Sequence, residues 1–379
     1  YFLKVDPQGN KWIGNDKDIF KYDGSNWVKF SPSDESFNTA AFDKSGIKWF
    51  GSDNGPWKYD GRTWTQITDH AVANSPINSI AVDSLNNKWL STGNGLVKYD
   101  NIRWTVYNTS NSGIPSNTIE SAAVDPKGNV WVGFSVMDST KDPGGIAKYD
   151  GNSWTVFNKS NSGLPHNSVN SIVIDRQDNK WICTNGGGLA KFDDQSWTVY
   201  DHKLGFPDYV YSLAIDSLGN KWIGSDKLIK YDGQNITVYN ASNSSLQYRN
   251  DVISEVAVDK YGSIWLGTFS GVHMLKGSGV LMEIENGNKV QPLSFQLKQN
   301  YPNPFNPTTT IKYSLDVKSN VRIKIFDTMG KVIAVLVNEE KPSGTHMVYF
   351  NAAGLASGIY YYQIETNGTS QTRKMILLK

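Results

Sequence analysis

Residues 77–107 read INSIAVDSLNNKWLSTGNGLVKYDNIRWTVY. Four short apolar or alternating runs stand in this stretch: Ile77–Val82, Lys88–Ser91, Leu96–Tyr99 and Trp104–Tyr107. Turn-forming clusters separate them at Asp83–Asn87, Thr92–Gly95 and Asp100–Arg103. β-branched and aromatic runs of this length, bounded by Gly, Asn, Asp and Ser, predict strands joined by tight turns. None of them carries helical spacing over a useful length. The stretch therefore predicts one four-stranded β unit.

The unit recurs along the chain. An aspartate, five residues and a tryptophan appear seven times, as Asp6/Trp12, Asp43/Trp49, Asp83/Trp89, Asp125/Trp131, Asp175/Trp181, Asp216/Trp222 and Asp259/Trp265. Successive tryptophans are 37, 40, 42, 50, 41 and 43 residues apart. Four strands repeating at about 40–45 residues match the blade of a propeller. The second half of each repeat has its own signature, Lys21-Tyr22-Asp23-Gly24 with Trp27 in the first and Lys58-Tyr59-Asp60-Gly61 with Trp64 in the second. It varies to Lys191-Phe192-Asp193 with Trp197, has Ile236 in the tryptophan's place in the sixth repeat, and decays to Met274-Leu275-Lys276-Gly277 in the seventh. The fold expected is all-β, with a seven-bladed β-propeller of four-stranded blades over residues 1–285.

Residues that recur in every repeat read as scaffold. The aspartates sit where a strand ends and can accept backbone N–H groups of the following turn; a ligand or metal role is the alternative. The tryptophans read as packing between blades, because an indole covers a large apolar area and uses its N–H for one bond. Asn220-Lys221-Trp222-Ile223-Gly224 and Gly188-Leu189-Ala190-Lys191-Phe192-Asp193 resemble the two-component regulator propeller repeat family, over about residues 1–285. The resemblance implies the propeller fold, and one fold hosts many functions. No kinase or DNA-binding segment follows in this sequence, so the signalling role of hybrid systems is not expected.

Composition changes after Glu285. Residues 286–296 read as a linker and 297–379 as a small Ig-like β-sandwich, with expected strands at Thr310–Leu315, Val321–Phe326, Val332–Val337, Met347–Phe350, Ile359–Glu365 and Met375–Leu378. The three prolines of Tyr301-Pro302-Asn303-Pro304-Phe305-Asn306-Pro307 exclude helix and central strand there. This run, Ile325-Phe326-Asp327 before Gly330-Lys331, Gly358-Ile359-Tyr360-Tyr361 and the final Lys374–Lys379 are similar to the type A C-terminal sorting domain of the type IX secretion system, over residues 293–379. The resemblance implies that the secretion machinery is a partner. It also implies export to the outer surface of a Bacteroidetes-type bacterium.

Charge and composition narrow the function further. With 37 Lys and Arg against 36 Asp and Glu, and no run of basic residues, nucleic acid is not an expected partner. No apolar run reaches the length of a membrane span. A chain that begins at Tyr1 fits a signal peptide already removed. The single Cys183 occupies the place of Gly14, Gly51, Gly133, Gly224 and Gly267 in other repeats, and reads as a small buried hydrophobe. No cofactor is expected.

Strand order gives the propeller two faces. The Asp-led turns lie on one. The second-to-third-strand loops and the loops between blades lie on the other, which carries the variable material and is the better place for a site. Candidate ligand-binding residues there are His166, His202, Asp208, Tyr209, Tyr211, Tyr248 and Arg249, since tyrosines beside polar groups suit a glycan or a protein. An insertion at Phe134–Gly145 holds Asp138 and Asp142, weak candidates for a cation. His70, His166 and His202 all fall in loops between blades, where a ring can bring them together. The expectation is a non-enzymatic binding or assembly module whose partner is an extracellular glycan, a protein or a second copy of itself. The alternatives are a head-to-tail filament subunit and a lyase-like enzyme acting on polysaccharides.

Overall fold

In the quoted stretch the alternation of side chains becomes a meander, with strands Ile77–Val82, Lys88–Thr92, Gly95–Tyr99 and Trp104–Tyr107 hydrogen-bonded in chain order. Trp89 stands opposite Ala81 on one side and Lys98 on the other, and Tyr99 opposite Trp104. The computed structural model describes residues 2–15, 17–136, 144–239, 252–268, 271–275, 281–284, 295–315, 319–342, 344–366 and 369–378. The chain divides into two compact units, Tyr1–Asn288 and Lys289–Lys379.

The first unit holds seven such sheets, one per repeat. The first strand of each blade packs against that of the next all the way round, and Phe2–Val5 of blade one meets Ile253–Val258 of blade seven. Every blade draws its four strands from its own repeat, so side chains close the ring instead of an exchanged strand. Lys4 pairs with Glu255 at 3.2 Å, Lys11 with Asp259 at 2.9 Å, and the Lys260 ammonium donates to the Gln8 carbonyl at 2.7 Å.

The core lies between blades. Five of the seven strand-two tryptophans are covered by the aromatic that follows the lysine in the next blade: Trp12 by Tyr59, Trp49 by Tyr99, Trp89 by Tyr149, Trp131 by Phe192, and Trp265 by Tyr22 across the closure. At about 25 cal/mol per Å² over the roughly 150–250 Å² of an aromatic side chain, each such ring contributes several kcal/mol. The glycine two residues after the tryptophan has a steric cause. A Cβ at Gly51 would lie 2.7 Å from Ile77 of the next blade, and one at Gly133 would lie 2.6 Å from Val169. Cys183, at the equivalent place, is fully buried, as its position suggests.

The second unit is a sandwich of a three-stranded sheet (Phe295–Leu297, Thr308–Leu315, Gly344–Asn351) and a four-stranded one (Val332–Lys341, Ser319–Phe326, Gly358–Thr366, Thr369–Leu377). Alternate residues of Thr308–Leu315 and Ser319–Phe326 point into a shared core with Phe305, Tyr362 and Leu377. The proline-rich run serves this core. Asn300 N–H donates to the Tyr362 hydroxyl at 2.8 Å, the Asn303 side chain accepts from Ile376 N–H at 2.9 Å, and Phe305 pairs with Leu377. The strands outrun the apolar runs that signal them, because the main-chain ladder continues through Gly344–Met347 and Thr369–Lys374. Phe295–Leu297 adds a strand whose first two residues fall inside the stretch read as linker.

Candidate functional site

The recurrent acids are absorbed by the scaffold. In all seven blades one carboxylate oxygen accepts the tryptophan Nε1–H at 2.9–3.1 Å. The other accepts the main-chain N–H four residues on, at 2.8–3.0 Å. Burial opposes ionisation of Asp125, Asp175 and Asp216, but bonds from the tryptophan and from Asn129, Asn179 or Asn220 outweigh it and hold these carboxyls below the ordinary range. The Asp23-type acids are likewise occupied by main-chain N–H groups of their own turns. No group of three or more His, Cys, Asp or Glu is placed to hold a metal among the described residues.

On the opposite face, the turn between strands two and three of blade five gathers most of the predicted site. In blades one to three this turn is a tight one closing at Asn15/Asp18, Ser52/Gly55 and Thr92/Gly95. In blade five it runs Asn185-Gly186-Gly187-Gly188, with Gly186 and Gly188 in left-handed backbone. Both of those N–H groups donate to the Asp208 carbonyl, at 3.0 and 2.8 Å, and Asn185 bridges to Tyr209. Pro165 and His166 press on the other side, where a Cβ at Gly187 would lie 2.9 Å from His166 Cβ. Two loops between blades are thus clamped on one triglycine turn.

His166, Asp208 and Tyr209 flank this turn directly, and His202 joins them through Asp208, its Nδ1 2.9 Å from the carboxylate. His166 Nδ1 accepts from Ser168 N–H at 3.1 Å, so in the neutral ring Nε2 carries the proton. The loop bearing His202 is anchored, because Asp201 caps the short 3-10 turn His202–Leu204 and Phe206 is buried against Tyr200 and Tyr231. Tyr209 is 56% exposed, a ring held on a fixed backbone and turned to solvent. Tyr211 starts blade six, donating N–H to the Gly224 carbonyl at 2.9 Å. His70 stands apart on the loop from blade two to blade three, with Asp69 at 3.5 Å. Tyr248, Arg249, Asp138 and Asp142 lie outside the described residues.

Sequence reasoning missed two features. On the inner strands, Glu120 takes the place where Asn78 and Asn170 donate to main-chain carbonyls of the following blade. Burial raises its carboxyl above the usual range against a bond from Ser135. On the Asp-turn face, a hollow of about 430 Å³ opens where the inner strands of blades five, six and seven end, lined by Arg176, Lys221 and Lys260 among others. A second, of about 460 Å³, continues outward between blades six and seven past Trp222, Tyr239 and Tyr261. The signal was in the repeat alignment: Ile264 stands where five other repeats have a lysine, and Leu275 where all the others have Tyr or Phe.

Fold and tail together define a β-propeller that carries a C-terminal export module. Residues 299–378 match the secretion system C-terminal sorting domain. This tail directs the chain through the type IX system to the outer surface of a Bacteroidetes-type cell. Among solved structures the chain is similar to the extracellular domain of a hybrid two-component system from B. thetaiotaomicron (18% identity, TM-score 0.64, covering 99% of this chain and 54% of that one). It is also similar to PorZ, a surface component of the type IX secretion system of Porphyromonas gingivalis (18%, 0.52, 99% and 65%). A third is virginiamycin B lyase from Staphylococcus aureus (11%, 0.54, 76% and 94%). These likenesses concern the fold, and the chain spans only 54% and 65% of the first two proteins. No curated protein sequence matches the chain. No helix among the described residues is long and apolar enough to cross a membrane.

Proposed function

We infer that the exported propeller is a non-enzymatic binding module whose variable face engages an extracellular glycan or protein. The observation that carries this reading is the clamped triglycine turn of blade five. It holds Tyr209 exposed beside the His202–Asp208 pair and His166, with the backbone fixed before any ligand arrives. A preformed aromatic and polar surface loses little entropy on binding. A lyase would ask for a base, a tyrosine and a cation enclosed around one sugar. Here the His202 and Asp208 side chains are 65% and 43% exposed, which suits contact better than proton abstraction. Self-association of the exported chain, including a filament, would use the same kind of surface.

The test is binding of the full-length chain to an array of extracellular polysaccharides and to surface-protein extracts, followed by titration of the best ligand. Tyr209→Ala combined with Asp208→Asn is expected to weaken binding at least tenfold with folding unchanged. Undiminished binding by this variant would refute the assignment of the surface. Negative-stain images of the purified chain at high concentration test self-association, and separate particles throughout would remove it.

A further inference from the structure

The lysine that opens strand two is a recurring inter-blade tie. Lys11, Lys88 and Lys180 each lie over the tryptophan of the preceding blade, at 4.9, 5.2 and 5.1 Å from the ring. Each also meets a carboxylate, Asp259 at 2.9 Å, Asp43 at 3.1 Å, and Asp194 at 2.8 Å with Asp178 at 3.1 Å. Lys221 of blade six keeps the ring contact, 4.8 Å from Trp181, but no carboxylate lies within ion-pairing distance among the described residues. Asp175, the acid it would be expected to meet, is occupied by Trp181, Asn179 and the N–H of Gln177. Burial without that counter-ion pushes the Lys221 ammonium below the usual lysine range.

Lys221 lines the hollow of about 430 Å³ together with Arg176 and Lys260. Of the acids there, Asp259 is neutralised by Lys11, while Asp175 and Asp216 spend their oxygens on tryptophan and turn N–H groups. Asp175 and Asp216 keep their charge, so the three cations Arg176, Lys221 and Lys260 stand against two carboxylates whose oxygens are turned onto the scaffold. The adjoining groove shares Asp216, Ser217, Leu218 and Lys260 with the hollow and adds Lys230, Tyr239 and Tyr261. Leu218 is 86% and Tyr261 77% exposed, flat apolar surface beside the charges.

We propose that this cleft between blades five, six and seven binds an acidic sugar of an extracellular polysaccharide. Its oxyanion sits among Lys221, Arg176 and Lys260, and its ring lies against Tyr261. A bare inorganic anion would use the cations and leave the apolar rim idle, whereas a sugar's C–H face matches an aromatic ring while its acid group meets the ammonium groups. The cleft is on the opposite face from Tyr209, so it stands or falls independently of the surface proposed above.

The experiment is calorimetric titration of the full-length chain with an oligouronate tetrasaccharide, a sulfated neutral tetrasaccharide and its unsulfated parent, at low and high salt. The acidic sugars are expected to bind, more weakly at high salt, and the neutral parent not to bind. Preference between the first two tells whether carboxylate or sulfate is the cognate oxyanion. Arg176→Gln, at an exposed position, and Lys221→Met are each expected to lower affinity about tenfold, the scale of one charge-assisted contact. Ile102→Ala, at an exposed position on blade three outside both surfaces, should leave it unchanged. Absence of binding by both acidic sugars, equal binding of the neutral parent, or wild-type affinity in Arg176→Gln would each overturn the proposal.

Discussion

Asp259 and Asp216 form a matched pair for weighing the closure of the ring. Both accept two turn N–H groups and a tryptophan Nε1–H. They differ in the last donor: Asn220 for Asp216, at 2.8 Å, and the Lys11 ammonium for Asp259, at 2.9 Å. The Lys11 and Asp259 side chains are 4% and 2% exposed, so solvent screens this pair little. Asp216→Asn turns one acceptor into a donor facing two donors, a loss of about 1–3 kcal/mol. Asp259→Asn does the same and also strands a buried cation, and removing one partner of such a pair costs about 3–5 kcal/mol in total. All 13 tryptophans of the chain precede residue 266, so indole fluorescence in a urea titration follows the propeller alone. Asp259→Asn is expected to lose about 2 kcal/mol more than Asp216→Asn, and Lys11→Met in the same chain should restore most of that difference. Equal losses in the two single variants would refute the claim that a buried ion pair fastens blade one to blade seven.

Acid should loosen the propeller for the same reason. Asp43, Asp125, Asp175, Asp216 and Asp259 all titrate below their ordinary value of 3.8 in the fold. Their contribution is therefore complete above that pH and drains away as pH falls through the lowered folded values; a melting temperature unchanged from pH 5 to pH 2 would contradict it. Gly224→Ala places a Cβ 2.7 Å from the Ile253 carbonyl of the next blade and should destabilise by about 1–3 kcal/mol in the same urea titration. Cys183 is fully buried, with burial first and Glu255 second pushing its thiol up. Iodoacetamide should therefore label it only after unfolding, as mass spectrometry of native and denatured samples would tell. Tyr362→Phe removes the hydroxyl that accepts from Asn300 N–H and donates to the Lys298 carbonyl, and should cost the tail sandwich about 1–3 kcal/mol by calorimetry.

The sequence by itself determined the ring. Seven spaced Asp/Trp pairs and four short strands per repeat specify seven blades, because strand period, turn chemistry and repeat length are all local properties. The sorting tail was legible for the same reason, its proline-rich run and final strand being contiguous motifs. The tertiary structure alone decided which distant residues meet. It set His166 and Asp208 on either side of one triglycine turn, although 42 positions separate them, and left His70 on another loop. It showed that the Lys11 ammonium ends against Asp259, at the other end of the propeller sequence, while Lys221 ends against no carboxylate among the described residues. Such pairings depend on how a ring returns the last blade to the first and how neighbouring blades interlock, and no spacing along the chain encodes them.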